Sequence, residues 1–208
     1  GDLSQTDLFA GYQAKFFGWP NLYTPFGFNE TDSLQTVLAS AHHRQRYGDG
    51  SWWELGSFWR RNKDDYEFNR AVPGASNPFQ HTTRVRGAAL EGRHDLGDFA
   101  LNYQAGWTGD QLQSTALTFG RYSDRAIVRA MVLPEWSSGP VTRRLTIQAG
   151  AAYDDDNRQP GVWSPLASIA WTRQATEGQW RTYVEYAGSS QVRSEEHTSE
   201  LQSHLNLV

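Results

Sequence analysis

Three consecutive aspartates form the densest cluster of possible metal ligands in the sequence. Asp154, Asp155 and Asp156 stand in the segment YDDDNRQ, directly before Asn157. Because Ca²⁺ takes six to eight oxygen ligands, adjacent carboxylates and an amide oxygen could supply part of a calcium site. Blocks of like charge more often face water, and a solvated loop is therefore the favoured interpretation. The sequence offers this weak calcium candidate in an extracellular loop and predicts no other cofactor.

The histidines and hydroxyl residues form no pattern for metal binding or catalysis. His42 and His43 are adjacent, so on a strand they point to opposite faces and cannot bind one metal ion together. His81 and His94 fall at opposite ends of one predicted strand. Serine, histidine and aspartate occur without a nucleophile elbow or a paired-acid motif. We therefore expect that the protein is not an enzyme.

The composition limits the classes of protein that can carry these residues. The 208 residues are 38% hydrophobic with a mean hydropathy of −0.67, and no run approaches the roughly 20 apolar residues of a spanning helix. Aromatic residues nonetheless make up 13%. A transmembrane barrel has this mixture, because its lumen is polar and its lipid face is bordered by aromatic girdles. The absence of cysteine excludes disulfides, and the net charge of −4 argues against a nucleic-acid partner.

The dominant period of the sequence is two, which is typical of β-strands. Between Asp98 and Thr108, Phe99, Leu101 and Trp107 fall on one face, while polar residues alternate with them. The segments Val141–Tyr153 and Gln179–Ser189 repeat this pattern. Eight strands are predicted at residues 34–47, 52–68, 81–93, 98–111, 125–136, 142–153, 165–174 and 179–189. A soluble β-sandwich or propeller also alternates, so the period alone does not decide between architectures.

The connections between these strands alternate between short and long. Short turn signals are GDGS at 48–51, HDLGD at 94–98, SSGPV at 137–141 and ATEGQ at 175–179. Longer irregular stretches are predicted at 17–33, 69–80, 112–124 and 154–164. An up-and-down outer-membrane barrel has this asymmetry, with short periplasmic turns and long extracellular loops. Aromatic residues beside the short turns indicate a periplasmic girdle, and they are Tyr47, Trp52, Trp53, Phe99, Trp136 and Trp180.

The alternation stops after Val192, where the sequence RSEEHTSELQSH begins. This string resembles the translation of a common short-read sequencing adapter from Arg193 to Ser203, and His204 fits as well. We therefore predict two parts, a partial barrel domain at 1–192 and a non-native, disordered tail at 193–208. A genuine disordered polar tail is the alternative.

Several stretches resemble TonB-dependent outer-membrane receptors, and in particular a group similar to the cobalamin receptor. They are GYQAKFFGWPNLYTPFG (11–27), NETDSLQ (29–35), RRNKDDYEF (60–68), GDFALNY (97–103), STALTFG (114–120) and YAGSSQV (186–192). The resemblance implies an all-β fold, with about 8–9 strands of a 22-stranded antiparallel up-and-down barrel. It also implies that the plug and the C-terminal strands are missing.

The resemblance further implies a function in the Gram-negative outer membrane. The full-length parent would take up cobalamin or a ferric siderophore, driven by the TonB–ExbB–ExbD complex acting through a missing N-terminal part. Outer-membrane lipid and lipopolysaccharide would surround it, and the fragment alone would be inactive. A passive porin-like channel is the alternative. Aromatic residues that could stack on a large ligand, or else pack within the loops, are Trp19, Tyr23, Phe26, Phe28 and Phe79.

Overall fold

The computed structural model describes residues 3–20, 28–74, 79–117, 122–140, 142–175 and 178–188. This part of the chain is built from β-strands and turns, without a helix. No helix there is long and apolar enough to cross a membrane. The predicted tail at 193–208, and with it the boundary at residue 192, lies outside the described residues.

Nine strands form one antiparallel sheet in which each strand pairs with its neighbour in sequence. The strands are β1 (Ser4–Pro20), β2 (Asn29–Arg46), β3 (Trp52–Glu67), β4 (Phe79–Leu96), β5 (Phe99–Ser114), β6 (Tyr122–Ser138), β7 (Arg143–Asp156), β8 (Gln159–Ala175) and β9 (Gly178–Ala187). Most are far longer than the five or so residues that are usual in globular domains. The expected all-β, up-and-down architecture is therefore confirmed, and it is consistent with a fragment of a β-barrel.

The first strand, β1, was not among the eight predicted strands. Leu8, Tyr12 and Phe16 do alternate along it, but Phe9 and Phe17 occupy the opposite face and obscure the period. The pairing from Ser4↔Gln45 to Pro20↔Asn29 is continuous, so β2 holds β1 along its whole length. Residues 17–20 and 29–33, predicted as part of a loop, belong to these two strands.

All the short predicted turns meet at one end of the sheet, which we call the turn end. It comprises the connections at 47–51, 97–98, 139–142 and 176–177. Gly97 has φ of +78°, in the left-handed region that glycine adopts without steric cost, and this permits the two-residue hairpin between β4 and β5. At the first of these turns the Ser51 amide donates a hydrogen bond to Asp49 Oδ1 at 2.9 Å.

The opposite end, which we call the loop end, is where β1, β3, β5 and β7 end and the next strand of each pair begins, so that its connections follow these four strands. The last of these connections was predicted as a long loop from Asp154 to Ser164, and that prediction was wrong. β7 and β8 instead continue to a two-residue turn at Asn157 and Arg158. The turn is fixed against β6, because Asn157 donates its amide to Ala126 O (3.0 Å) and accepts the Ala126 amide at Oδ1 (2.9 Å).

The two faces of the sheet differ sharply in chemistry. Because directly paired residues project to the same side, the register assigns each side chain to a face. The large apolar side chains of the first face, which we call the apolar face, include Leu8, Tyr12, Phe16, Trp53, Leu55, Trp59, Leu90, Phe99, Tyr103, Trp107, Val128, Val132, Trp136, Ile147, Tyr153, Trp163, Ile169, Trp171, Trp180, Val184 and Tyr186. Most of them are exposed.

The polar face carries most of the charged side chains and nearly all the buried residues. Glu30, Ser114, Glu135 and Ser164 are buried there, although Phe9, Phe58 and Tyr183 also lie on this face. A groove of about 780 Å³ runs along it from β2 to β7. Burial on this side and exposure on the other are what a sheet curved around its polar face produces.

Aromatic residues border the apolar face at both ends. Trp53, Phe99, Trp136, Trp171 and Trp180 form a row near the turn end, and Phe16, Trp59, Trp107, Tyr153 and Trp163 form a second row towards the loop end. Four of the residues predicted for the periplasmic girdle lie in the row near the turn end, and they are Trp53, Phe99, Trp136 and Trp180. Trp52 does not lie in this row, because it pairs with Arg46 and Arg93 on the polar face.

The strands are staggered as barrel closure requires. A line of directly paired residues starts at Leu8 near the beginning of β1, passes Ala88 in β4, and reaches Asp155 near the far end of β7. This shift is about 1.3 residues per strand, and with a rise of about 3.3 Å and a strand spacing of about 4.8 Å it gives a tilt of about 40°. Barrels have tilts of roughly this size.

Candidate ligand-binding cleft

A cleft of about 620 Å³ opens on the polar face at the loop end of β1 to β4. Its lining combines two carboxylates, an imidazole and four aromatic rings. The residues are Trp19, Asp32, Asp64, Tyr66, Phe68, Phe79 and His81. Such a mixture of apolar walls with a few convergent polar groups is what small-molecule sites have in common.

The register of the sheet brings these side chains together. Asp32 pairs directly with Tyr66, and Tyr66 pairs with Phe79, so the three form a row across β2, β3 and β4. Asp64 pairs with His81 in the next row towards the turn end. Residues far apart in sequence thus converge because each occupies the same height on a neighbouring strand.

Asp32 and Asp64 are diagonal neighbours across β2 and β3, and they face each other in the cleft. The indole Nε1 of Trp19 donates to Asp32 Oδ2 at 3.4 Å. Asp64 lies five residues beyond Trp59, where the apolar band of β3 ends, and so outside the apolar belt. Burial raises the pKa of Asp64, the hydrogen bond and charge of Asp32 raise it further, and His81 acts in the opposite direction. One proton shared between two carboxylates relieves their repulsion.

The imidazole of His81 is fixed by the neighbouring strand. His81 Nδ1 lies 2.7 Å from Ser114 Oγ, and the two residues are directly paired between β4 and β5. Ser114 is itself buried. This contact leaves the other edge of the ring available to the cleft.

The aromatic rings of the cleft form edge and tilted contacts. Phe17 and Trp19 are 4.9 Å apart with ring planes at 72°, and Tyr66 and Phe79 are 6.1 Å apart. Phe68 contacts Phe28 at 4.7 Å. Rings held in this way offer flat apolar surfaces on which a planar or cationic group can stack.

The structure brings together part of the predicted aromatic set. Trp19 and Phe79 line the cleft, and Phe28 contacts it through Phe68. Trp19 and Phe79 lie in strands rather than in loops, whereas Phe28 immediately precedes β2. Tyr23 and Phe26 lie outside the described residues. Whether any of these residues binds a ligand stays a prediction.

Sequence reasoning missed the polar residues of the cleft. Asp32, Asp64 and Tyr66 were not predicted as site residues. The available signal was the repetition of polar and aromatic residues at the loop ends of consecutive strands. It becomes specific only when the register places Asp32, Asp64 and His81 beside one another.

The three aspartates proposed for calcium do not converge. They belong to the end of β7, where Asp155 projects to the apolar face and the other two to the polar face. Asp154 pairs with Arg129 at 3.1 Å, and Asp156 Oδ1 accepts the Arg158 amide at 2.7 Å. The described residues contain no group of three or more acidic or histidine side chains that could hold a metal ion. Their placement in a long loop was therefore wrong, and nothing in their geometry favours calcium.

The turn end of the polar face is occupied by a different set of charges. Arg93 in β4 reaches across β5 to Glu135 in β6 through two hydrogen bonds of 2.9 and 3.0 Å. Gln148 donates to Glu135 at 2.8 Å, and Ser168 donates to Gln148 at 2.8 Å. Asn102 in β5 accepts from Arg93 at 3.2 Å. These residues, the cross-strand line, connect β4 to β8.

Comparison with known proteins adds no assignment. No protein-family model matches the chain, and no curated protein matches it either. The inferences about function therefore depend on the cleft, the two faces and the resemblance given by the sequence.

Proposed function

We propose that the chain is part of an outer-membrane β-barrel that takes up a large, scarce nutrient by TonB-dependent active transport. The observation that carries the proposal is the division of one tilted sheet into an exposed apolar face, bordered by aromatic rows at both ends, and a concave polar face. A lipid-facing exterior and a hydrated lumen require this division. An all-β up-and-down antiparallel sheet is compatible with such a barrel.

The cleft supports uptake of an organic ligand rather than passage of small ions alone. It lies at the loop end of the polar face, where the mouth of an outer-membrane barrel meets the medium. Its aromatic walls can stack on a macrocycle or a chelate, and its carboxylates can bind hydrogen-bond donors. Cobalamin and ferric siderophores are the ligand classes we propose. The TonB–ExbB–ExbD complex would supply the energy for this uptake.

Uptake by the full-length protein tests the transport proposal. Labelled cobalamin and a panel of labelled ferric siderophores are supplied to cells that carry or lack the gene, with and without TonB. We expect uptake of one ligand class to require both the gene and TonB. Gene-dependent uptake that persists without TonB would instead assign a passive porin-like channel.

A pair of cysteine substitutions tests the assignment of the faces. These 208 residues contain no cysteine, and labelling of the unsubstituted full-length protein gives the background for each introduced thiol. Ala130 pairs with Tyr153 on the apolar face, and its neighbour Met131 pairs with Gln104 on the polar face. In outer-membrane preparations of the full-length protein, we expect a water-soluble maleimide to label Met131→Cys at least about tenfold faster than Ala130→Cys, because lipid excludes the reagent. Equal labelling of the two would contradict a lipid-facing apolar face.

A further inference from the structure

Three arginines lie together on the apolar face, just beyond its loop-end aromatic row. Arg61 in β3 and Arg84 in β4 are directly paired, and Arg86 is two residues from Arg84 on the same face. We call Arg61, Arg84 and Arg86 the arginine patch. Like charges directly opposite each other on a sheet repel, so this arrangement destabilises the bare sheet.

None of the carboxylates on the apolar face forms an ion pair with the patch among the described residues, although Asp65 and Asp124 lie on that face. All the arginine–carboxylate pairs found in the described ranges join residues of the polar face, and none includes these three arginines. Lys63 is next to Arg61 on the same face, and Asp65 already pairs with it. The Nε atom of Arg61 is buried without a hydrogen-bond partner. The patch therefore carries positive charge that no ion pair neutralises within the described ranges.

The neighbouring aromatic row holds the patch at a defined height. The Arg86 guanidinium lies over the Trp107 ring at 5.3 Å, and directly paired Trp59 flanks it on β3. The Trp107 ring folds over Gly109, where a Cβ would come within 2.9 Å of it. Arg70, in the connection after β3, similarly lies over Phe16 at 5.1 Å. Guanidinium groups thus stack on the boundary aromatics of β1 and β5.

We infer that the arginine patch binds the phosphate group of an anionic lipid in the membrane leaflet at the loop end. Its position points to a lipid, because a group bound there has its anion above the apolar band and its acyl chains alongside it. Guanidinium groups match phosphate oxygens through paired hydrogen bonds. The inference rests on the proposed function, since it requires the apolar face to lie in a bilayer.

A second arginine pair provides a matched control. Arg143 and Arg173 are also directly paired on the apolar face, but at the turn end. Neither lies over an aromatic ring among the described contacts. Removing them takes away the same charge from the same face without touching the patch.

The test uses the whole chain folded in a neutral detergent, with folding checked by circular dichroism. The probes are short-chain phosphatidate, short-chain phosphatidylcholine and inorganic phosphate, and calorimetric titration measures their binding. We expect phosphatidate to bind about tenfold or more tightly than phosphatidylcholine, because each basic side chain near an anionic lipid contributes about 1 kcal/mol. The double variant Arg61→Gln/Arg84→Gln should lose this preference, and Arg61→Lys/Arg84→Lys should retain most of it.

Three results would overturn the inference. They are an unchanged preference in the double Gln variant, an equal loss in Arg143→Gln/Arg173→Gln, and binding of inorganic phosphate as tight as that of phosphatidate. The last result would identify a site for free anions. If the chain needs detergent to fold but binds phosphatidate no more tightly than phosphatidylcholine, only lipid binding by the arginine patch is refuted. If the chain folds in water without detergent, the proposed function is refuted as well.

Discussion

The turn end of the polar face and the cleft at its loop end differ in how their charges are compensated. At the turn end, Glu135 is buried and bound by Arg93, and Glu54 pairs with Arg44 and with His42. At the loop end, Asp32 and Asp64 face each other, and the lining of their cleft contains no arginine or lysine among the described residues. Carboxylates that are paired with arginine stabilise the contact between strands. Carboxylates without a cation, such as those of the cleft, favour binding of a ligand that carries hydrogen-bond donors or positive charge. The difference assigns structural work to one end and ligand binding to the other.

Removing Glu135 should change the free energy of unfolding more than the other substitutions, because it removes the central acceptor of the cross-strand line at the turn end. Glu135→Ala leaves the half-buried Arg93 without its principal partner. It also removes the acceptor of the hydrogen bond that Gln148 Nε2 donates. We expect the free energy of unfolding to fall by about 2–3 kcal/mol. Urea unfolding of the detergent-folded chain, followed by tryptophan fluorescence, measures this change.

The matched control for that substitution is Glu185→Ala in β9. Glu185 lies on the same face but is exposed, and it makes no ion pair within the described part of the chain. We expect its effect to stay within about 0.5 kcal/mol. Comparable losses in the two variants would remove the special role of the Arg93–Glu135 pair.

Removing one carboxylate from the cleft should raise the free energy of unfolding, and by less than the loss expected for Glu135→Ala. Asp64→Asn relieves the repulsion with Asp32, and we expect the free energy of unfolding to rise by about 0.5 kcal/mol at neutral pH. The pKa of Asp64 is raised above 3.8 in the folded chain. The folded state therefore binds more protons than the unfolded one above pH 3.8, and its stability falls as the pH rises through the folded pKa.

Unfolding midpoints measured from pH 3.8 upwards should show this decline in the unsubstituted chain and a weaker decline in Asp64→Asn. Asp110→Asn is the control, because Asp110 is bound by Arg125 at 2.7 and 3.0 Å, and its loss should destabilise the chain. If both variants shifted stability in the same direction, the two facing carboxylates of the cleft would not differ from a carboxylate that an arginine neutralises.

The sequence predicted the architecture well where only one face of a strand carries large apolar residues. The alternation of Phe99, Leu101 and Trp107 is unambiguous, and β5 has the predicted faces. It failed at β1, because Phe9 and Phe17 occupy the polar face. It also failed at the end of β7, where a polar segment resembles a loop. Two hydrogen bonds between Asn157 and Ala126 extend the strands there, and such a contact has no local signal.

The cleft was predictable in part, for a related reason. The sequence singled out Trp19 and Phe79 as loop aromatics, and both line the cleft, although from strands rather than from loops. The diagonal position of Asp32 next to Asp64 depends on the register between β2 and β3, which no single segment encodes. The local sequence pattern therefore identifies some aromatic residues of the cleft. Its carboxylates and imidazole are identified only when the register of the sheet is known.

The cross-strand line has a mechanical consequence for a tilted wall. In a lattice of strands inclined at about 40°, sliding one strand past its neighbour changes the girth and the height of the wall together. The hydrogen bonds from Arg93 through Glu135 and Gln148 to Ser168 run across the strands, and so perpendicular to that sliding direction. These hydrogen bonds therefore oppose sliding among β4, β6, β7 and β8 near the turn end.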